Sequence, residues 1–508
     1  MSNEILTVAI QVYRVVIVAL LLYGLIRPAF ASAICSWADR VGARKRSMFL
    51  LILLGALVLT ATLLLRHFGF ETDAYDLRLH EEVVRNTWQG KFMYSDMKGY
   101  SFFANHASLI FPIFALVYPI WPSAAWLLIL QGLCIGGAAW FLWLFVREHD
   151  ARPAVAVAVV VVFMTYYGLW TGFFDGFHQE VVSVFFVLGF LWAVKRSAAF
   201  PAALFGALAL SCREDIAIPL AIYGAMLCFV RGRRAWGGVI LASCAVWMGI
   251  TYGWLIPKCS AGGTMEEFSR WSQFGSTPKA VALGMLAHPL LVLSNVARGS
   301  FVLLGRLFFL PVLDPWTVLP VLIPLAAHTN SSYDMQAHLQ GAYAALFVPF
   351  FFAGLVRTLA RPRFKRWLSL DRVAFCFSLL LVLINVKALP LPDSWAGVVS
   401  AQRGLSMINR HIDGYRVLAQ GSIVPHLGWT AQVDMLGSPG QKPLDDYGVI
   451  LLSATQRTWP LAQADVEEAI RSLGNSDRWR EVRFGCVECF FKAGDTNLQA
   501  AVSAAHYE

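Results

Sequence analysis

Long apolar runs separated by short polar segments fill the first 393 residues of this 508-residue chain. Runs such as residues 6–26, 48–65 and 124–146 approach the roughly 20 apolar residues that a helix needs to cross a bilayer. Roughly a dozen runs of near that length are visible. The pattern therefore predicts a mainly α-helical, polytopic membrane domain over residues 1–393, with about twelve transmembrane helices.

The pattern changes after residue 393. Alternating apolar and polar positions predict strands near residue 417 and at residues 448–453, and a Gly-terminated helical pattern follows at residues 465–474. Residues 481–493 read as a terminal hairpin. We therefore expect residues 394–508 to form a small soluble α/β domain, called the tail below.

Composition supports a membrane protein, because the chain is 57% hydrophobic and has a mean hydropathy of +0.58. Its net charge of +9 could indicate nucleic-acid binding. However, residues 394–508 hold 10 Lys and Arg against 12 Asp and Glu. The basic excess therefore lies in the loops between apolar runs, and no nucleic-acid partner is predicted.

Five loops carry the basic residues, namely residues 27–46, 147–152, 195–196, 231–234 and 357–366. The topology places all five on one side, which the positive-inside rule assigns to the cytoplasm. This arrangement predicts a multi-pass protein of the inner (cytoplasmic) membrane, surrounded by membrane lipids. Both termini and the tail are then extracytoplasmic.

The first outer loop, residues 71–112, is rich in titratable groups for a chain that is only 14% charged. It holds Asp73, Asp76, two glutamates and His106, and such a cluster at a membrane boundary indicates a functional site. A carboxylate there could accept the proton of an acceptor hydroxyl, so Asp76 or Asp73 is the candidate catalytic base. Alternatively, these acids solvate the loop and cap a helix. Residues 76–88 are predicted to form an amphipathic juxtamembrane helix along the interface.

Arg213, Glu214 and Asp215 form a second charged cluster between two short apolar runs. Charges at such depth are costly, and an arginine there can hold a phosphate through two N–H groups. The alternative is a hinge whose charges neutralise one another. We expect Arg213 to contact phosphate, with Glu214 and Asp215 in the same donor-binding site.

Three histidine positions lie in loops assigned to the outer face: His106, His178 with Glu180, and His338. They could converge on the same cavity and contact a phosphate, or they could be plain interfacial histidines. A divalent metal is conceivable, but the His-x-Glu spacing is weak evidence and the histidines come from separate loops. Neither a metal site nor another cofactor is therefore predicted.

The pair Cys486 and Cys489 has the spacing of a redox motif but sits in a strand-like segment rather than at the start of a helix. A structural disulfide or two free thiols is the better interpretation. The sequence contains no phosphate-binding Walker loop, GxGxxG or GxSxG pattern. An ATP-driven pump and a serine hydrolase are therefore disfavoured.

Several segments together carry a family resemblance: NHASLIFPIFALVYPIWP, FDGFHQE, LSCREDIAIPLAIYG, LPVLIPLAAHTNSS and HLQGAYAALFVPF. In this order, after an Asp-bearing outer loop, they resemble bacterial and archaeal predicted membrane proteins grouped as a domain of unknown function. That family is related to the GT-C glycosyltransferase superfamily. The resemblance covers most of residues 71–360 and, weakly, PHLGW at residues 425–429.

The resemblance implies an inverting enzyme with a polyprenyl-phosphate sugar donor and an acidic catalytic residue in the first outer loop. Asp76, within Tyr75-Asp76-Leu77, matches the family's Phe-Asp-Leu position. The Asp-Glu pair of many GT-C enzymes is absent, since Ala74 follows Asp73.

The leading hypothesis is a glycosyltransferase that moves a sugar from a polyprenyl-phosphate donor to a lipid or envelope-glycan acceptor at the outer face. Asp76 or Asp73 would be the base. A transporter or flippase of a lipid-linked sugar is the first alternative, although the halves show no internal repeat of the kind common in transporters. A non-catalytic membrane assembly protein, in which the tail binds a partner, is the second.

Overall fold

The computed structural model describes residues 2–260, 266–385, 395–429, 432–438 and 441–505 of the chain. Helices account for nearly all of its regular structure before residue 386. They are α1 (Ser2–Ile26), α2 (Pro28–Ala43), α3 (Lys45–Phe68), α4 (Leu79–Trp88), α5 (Ile110–Ala115), α6 (Ala124–Arg147), α7 (Pro153–Thr165), α8 (Tyr167–Phe173), α9 (Gln179–Lys195), α10 (Ala199–Cys212), α11 (Ala217–Cys228), α12 (Arg234–Ile250), α13 (Ile256–Cys259), α14 (Pro278–Ala287), α15 (Pro289–Gly305), α16 (Pro315–Thr329), α17 (Asp334–Ala337), α18 (Val348–Leu359), α19 (Pro362–Leu368) and α20 (Asp371–Asn385).

Four helical segments are long and apolar enough to cross a bilayer: Lys45–Phe68, Ala124–Arg147, Pro153–Phe173 and Arg234–Cys259. Four further helix pairs pass the same test jointly but bend by 71° to 111° at a short break. Counting each bent pair as one span gives up to eight spans among the described residues. The mainly helical membrane character is confirmed, whereas the number of about twelve spans stays a prediction.

The basic loops meet at one end of the helical bundle. Hydrogen bonds and ion pairs connect four of the five, through Arg152 with Asp39, Arg196 with Glu148, and Arg233 with the carbonyl of Val194. Arg152 also pairs with Asp371, which follows the fifth basic loop. These contacts agree with the prediction that the basic loops share one side. The assignment of that side to the cytoplasm stays a prediction.

The predicted amphipathic segment is helical but buried. A π-helical turn, Ala74–Arg78, leads directly into α4. Glu81 and Glu82 are only 2% and 5% exposed, and they accept hydrogen bonds from the Tyr118 hydroxyl (2.8 Å) and the Ser95 hydroxyl (2.7 Å). The two glutamates are therefore not in water. The position of the segment along the membrane interface stays a prediction. The segment is packed inside the protein, where internal partners satisfy its glutamates.

The tail contains a mixed five-stranded sheet with helices around it. Its elements are α21 (Trp395–Ile408), β3 (Arg416–Ala419), β4 (Gln432–Met435), β5 (Val449–Leu452), α22 (Gln463–Gly474), β6 (Trp479–Phe484), β7 (Val487–Lys492) and α23 (Thr496–Ala505). The short strands β1 (Tyr94–Ser95) and β2 (Tyr100–Ser101) do not belong to the tail; they form a hairpin in the first outer loop. The strand order is β4-β3-β5-β7-β6. The β3 strand runs parallel to β4 and β5, whereas β7 is antiparallel to β5 and β6.

The predicted strands, the helix and the terminal hairpin of the tail are all present, whereas β4, α21 and α23 were not predicted. Alternation places Val417 and Val449 in one apolar cluster and Leu418 and Ile450 in the other, because successive side chains of a strand point to opposite faces. Cys486 lies in the turn of the β6–β7 hairpin and Cys489 on β7. Both are buried free thiols, which is one of the two interpretations kept from the sequence.

The tail packs directly on the first outer loop. Phe70, between α3 and that loop, and Ala74 of the loop belong to the apolar cluster on one face of the tail sheet. The side chain of Gln402 donates to the carbonyl of Phe68 (2.8 Å), and the ring of His426 stacks on His67 at 4.5 Å. The predicted domain boundary between residues 393 and 394 lies outside the described residues.

Candidate active site

A cavity of about 340 Å³ opens where the first outer loop, the α8–α9 loop, the α10–α11 connection, residues 270–343 and the tail meet. Ten titratable side chains other than tyrosine line it, and they come from every one of these segments. They are Asp76, His80, Lys98, His106, Asp175, His178, Glu180, Arg213, Arg270 and Arg457. Four Lys or Arg side chains and three carboxylates thus share one space, which suits a polar, anionic ligand.

Asp73 and Asp76 have different surroundings. Asp73 is fully buried, and its Oδ1 accepts the backbone N–H groups of Tyr75 (2.9 Å) and Asp76 (3.1 Å). It therefore caps the π-helical turn, and its Oδ2 lies 3.1 Å from Nη2 of Arg457. Asp76, in contrast, is partly exposed and lines the cavity. Of the two candidate bases, Asp76 is the one whose carboxylate can reach a substrate.

Burial and neighbouring charge shift the pKa of both carboxyls. Burial, followed by the nearby carboxylates of Asp73 and Asp175, raises the pKa of Asp76 well above its usual value. Burial also raises the pKa of Asp73, but the Arg457 guanidinium and two backbone N–H groups oppose this effect. The negative charge of Asp76 is therefore less well stabilised by its neighbours than that of Asp73.

Arg213 lies at the centre of a carboxylate cluster between α10 and α11. Its Nη1 is hydrogen-bonded to Glu180, and its Nε lies 3.1 Å from Oδ2 of Asp215. Glu214 is buried and accepts from His106 Nδ1 (3.0 Å) and from the backbone N–H of Ala107 (2.9 Å). Glu214 and Asp215 do not themselves line the cavity, so they orient His106 and Arg213 from behind.

The α8–α9 loop is fastened by Gln131, a fully buried side chain of α6. Its amide nitrogen donates to the carbonyls of Phe173 (3.1 Å) and Gly176 (2.9 Å), and its oxygen accepts the backbone N–H of His178 (2.8 Å). The loop can approach Asp76 closely because Gly176 has no side chain there.

His178 is 8% exposed and lines the cavity, and its Nε2 has no hydrogen-bond partner among the described residues. One ligand atom each from Asp76, Asp175 and His178 lies within 4.8 Å of the others. Such a set of oxygen and nitrogen atoms could hold a divalent metal ion. The function proposed below does not require one.

His338 is the predicted site residue that lies elsewhere. Its ring is exposed, and Nδ1 contacts the backbone carbonyl (3.0 Å) and the carboxylate (3.1 Å) of Asp334 on the same helical turn. It does not line the cavity. Of the other predicted residues, Asp76, His106, His178, Glu180 and Arg213 line the cavity together, and the remaining three stand directly behind them.

Several lining residues were not predicted from the sequence: Asp175, Lys98, Arg270, Arg457 and Trp459. Asp175 lies within the quoted segment FDGFHQE, so the pattern around His178 could have pointed to it. Arg457 is one of ten basic residues after residue 393 and carries no local signal. Only the docking of the tail brings it to the cavity.

A family model described as "Predicted membrane protein (DUF2079)" matches residues 66–485. The chain belongs to this family. The DUF2079 segment begins near the end of α3 and ends in the β6–β7 turn, so it includes the first outer loop, the cavity and most of the tail.

Among solved structures, the chain is similar to ArnT from Cupriavidus metallidurans, whose crystal structure contains undecaprenyl phosphate. The match has a TM-score of 0.45 and 10% sequence identity, and it covers 89% of this chain and 99% of ArnT. No curated protein has a matching sequence.

Proposed function

We propose that this DUF2079 protein is a membrane glycosyltransferase that moves a sugar from a polyprenyl-phosphate donor to a lipid or envelope-glycan acceptor. One observation carries the proposal. A cavity at the end of the bundle opposite the basic loops combines a carboxylate of raised pKa, Asp76, with the cationic side chains of Lys98, Arg213, Arg270 and Arg457. These are the groups that a hydroxyl nucleophile and a phosphate leaving group require.

In the proposed step, the oxygen of the acceptor hydroxyl attacks the anomeric carbon of the donor sugar. The bond from that carbon to the phosphate oxygen breaks, and the polyprenyl phosphate leaves with the bonding electrons. The hydroxyl proton passes to Asp76. Attack from the side opposite the phosphate inverts the anomeric centre.

The side chains of Lys98, Arg213 and Arg270 would stabilise the charge that develops on the leaving phosphate. Arg213 is assigned to the phosphate, because Glu180 and Asp215 fix its guanidinium at the cavity wall. His106 and His178 are assigned to the donor as well, with Glu214 orienting His106. His338 has no role in this proposal, since its ring lies outside the cavity.

The basic loops support the proposed orientation. If they face the cytoplasm, the cavity and the tail lie at the outer face of the inner membrane, where lipid-linked sugars and envelope acceptors meet. The aromatic rings of Tyr75 and Trp459, 5.6 Å apart, line the cavity and offer apolar surface to a sugar ring.

The test is transfer of radiolabelled sugar from a panel of polyprenyl-phosphate sugars in membranes that contain the wild-type protein. We expect Asp76→Asn to reduce transfer about 10²–10⁴-fold, because a general base is lost. Arg213→Ala should also reduce transfer strongly. His338→Ala is the matched control and should transfer like the wild type.

Equal transfer by wild type and Asp76→Asn would remove the proposed base. If the wild type transfers nothing from the whole panel, the glycosyltransferase proposal fails, and movement of the lipid-linked sugar across the bilayer becomes the function to assay.

A further inference from the structure

Arg457 extends from the tail into the wall of the membrane-domain cavity. It lies in the connection between β5 and α22. Its Nη2 lies 3.1 Å from Oδ2 of Asp73, and its Nη1 lies 3.0 Å from Oδ1 of Asp175. The same Nη1 donates to the backbone carbonyl of Glu71 at 3.4 Å. One guanidinium thus joins the first outer loop to the α8–α9 loop.

The two segments that Arg457 joins are the same two that hold the backbone of Asp76. The N–H of Asp76 donates to Asp73 Oδ1 (3.1 Å), and its carbonyl accepts from the N–H of Phe177 (2.8 Å), two residues after Asp175. Any movement of Asp73 relative to Asp175 therefore moves Asp76.

The tail holds Arg457 firmly. The amide group of Gln420, which is 1% exposed, donates to the carbonyl of Arg457 (2.8 Å) and accepts the N–H of Ser453 (2.8 Å), so it holds Arg457 to the start of the connection. The hydroxyl of Ser453 in turn donates to the carbonyl of Cys486 at 2.5 Å. The position of the guanidinium is thus determined by the folded tail rather than by a free loop.

The tail is itself fastened to the first outer loop on the far side of Asp76. Arg78 donates to the carbonyls of Leu427 (2.8 Å) and Gly428 (3.2 Å), and its guanidinium carbon lies 3.1 Å from the centre of the Trp429 ring. The tail therefore contacts the π-helical turn at both ends, through Arg457 at Asp73 and through Leu427 at Arg78.

We propose that Arg457 is a positioning residue that the tail supplies to the candidate active site, where it fixes Asp76 by bridging Asp73 and Asp175. The inference rests on the proposed function for the role of Asp76. A guanidinium is required because two separate carboxylates must be held from one planar group, which a single ammonium does not match. The tail is then part of the catalytic unit and not an appended binding module.

The first test is hydrogen exchange of the purified full-length protein in lipid nanodiscs, which requires no substrate. In Arg457→Gln, we expect exchange at the N–H groups of Asp76 and Phe177 to increase about tenfold or more, since local opening exposes both. The control is Arg478→Gln, which breaks an exposed ion pair of the tail with Asp445. It should leave both amides unchanged.

The second test is steady-state transfer with a polyprenyl-phosphate sugar. We expect Arg457→Gln to lower kcat about 10–100-fold with KM for the donor nearly unchanged, because a misplaced base slows the chemical step. Arg457→Lys should not restore kcat. If Arg457→Gln raises only KM, Arg457 binds the donor. If Arg457→Lys restores kcat fully, Arg457 contributes only its positive charge. Either result overturns the proposal.

The two tests separate this inference from the proposed function. Unchanged exchange at both amides in Arg457→Gln refutes the positioning role, whatever the enzymatic activity. If exchange increases as expected but wild type transfers no sugar, the bridge stands and the glycosyltransferase proposal fails.

Discussion

The two ends of the helical bundle each contain a cluster of charged side chains, but the clusters differ in how completely they are paired. At the end with the basic loops, Arg152 donates from Nε and Nη2 to Asp39 (2.7–3.2 Å) and from Nη2 to Asp371 (2.6 Å). Asp39 also accepts the N–H of Ala154 (2.8 Å) and so fixes the start of α7. The cluster ties three segments of the chain together.

At the cavity end, polar atoms remain unpaired among the described residues. Nε2 of His178, Oε2 of Glu180 and Oδ1 of Asp215 are buried without a hydrogen-bond partner. An unpaired buried polar group lowers the stability of the folded protein. Such groups at a cavity therefore indicate a role in binding or catalysis rather than in folding. Pairing, rather than residue type, therefore distinguishes the structural cluster from the candidate site.

The largest expected effects are those on transfer and thermal stability when Asp76 or Asp39 is replaced by asparagine. Since the folded-state pKa of Asp76 is raised, the folded protein holds that proton more tightly than the unfolded chain, and stability falls as pH rises through the window above the usual value. At neutral pH, Asp76→Asn should therefore raise Tm by roughly 1–3 °C, although it reduces transfer about 10²–10⁴-fold.

Asp39→Asn should do the opposite, lowering Tm while transfer per folded molecule is unchanged. Thermal denaturation in detergent, combined with the transfer assay, measures both. If the two variants shift Tm in the same direction, the contrast between the ends of the bundle is wrong.

The second prediction concerns the close approach at Gly176. A Cβ there would lie 2.9 Å from both Cβ and the carbonyl oxygen of Asp76. Gly176→Ala should displace Asp76 and reduce transfer about 10–100-fold, as small misplacements of catalytic groups do. Gly494→Ala is the control, because a Cβ at that position meets nothing within 4 Å. If Gly176→Ala transfers sugar at the wild-type rate, the α8–α9 loop accommodates the added methyl group without displacing Asp76.

The third prediction tests the paired cluster. Arg152→Ala removes several hydrogen bonds and leaves Asp39 and Asp371 without their shared partner, so unfolding should become easier by about 1–3 kcal/mol. The comparison variant is Arg196→Gln, whose ion pair with Glu148 (2.6 Å) is more exposed. That change should cost less than about 1 kcal/mol. Equal losses in a denaturation series would mean that the Arg152 cluster is no more than a surface ion pair.

The smallest expected effect is a pH dependence where the tail meets the outer loop. Burial, with a smaller contribution from His67, lowers the pKa of His426 well below its usual value. The unfolded chain therefore takes up this proton first as pH falls, and stability present above about pH 6.5 is lost below it.

Between pH 7.5 and 5.5, we expect His426→Gln to lose less stability than wild type, by roughly 1 kcal/mol. His411→Gln, at an exposed tail position, should behave like wild type. The Tm of each variant at the two pH values decides the matter, and identical pH dependence in all three proteins would exclude His426 as the titrating group.

The sequence by itself determined the membrane character, the helical class and the small sheet of the tail, because hydrophobic run length and periodicity are local properties. It also pointed to Asp76, His106, His178, Glu180 and Arg213, since charges are conspicuous in a chain with so few of them. These residues are up to 137 positions apart along the chain and come from three segments, yet they line one cavity.

Tertiary structure alone decided the rest. It gave Asp73 a capping role and Asp76 access to the cavity, although they are only three positions apart, because Asp73 caps the π-helical turn and Asp76 lies within it. It buried α4, whose amphipathic pattern predicted an interfacial helix, because Tyr118 and Ser95 supply partners from distant positions. It brought Arg457 from the tail to Asp73, 384 residues away, through docking contacts that no local pattern encodes.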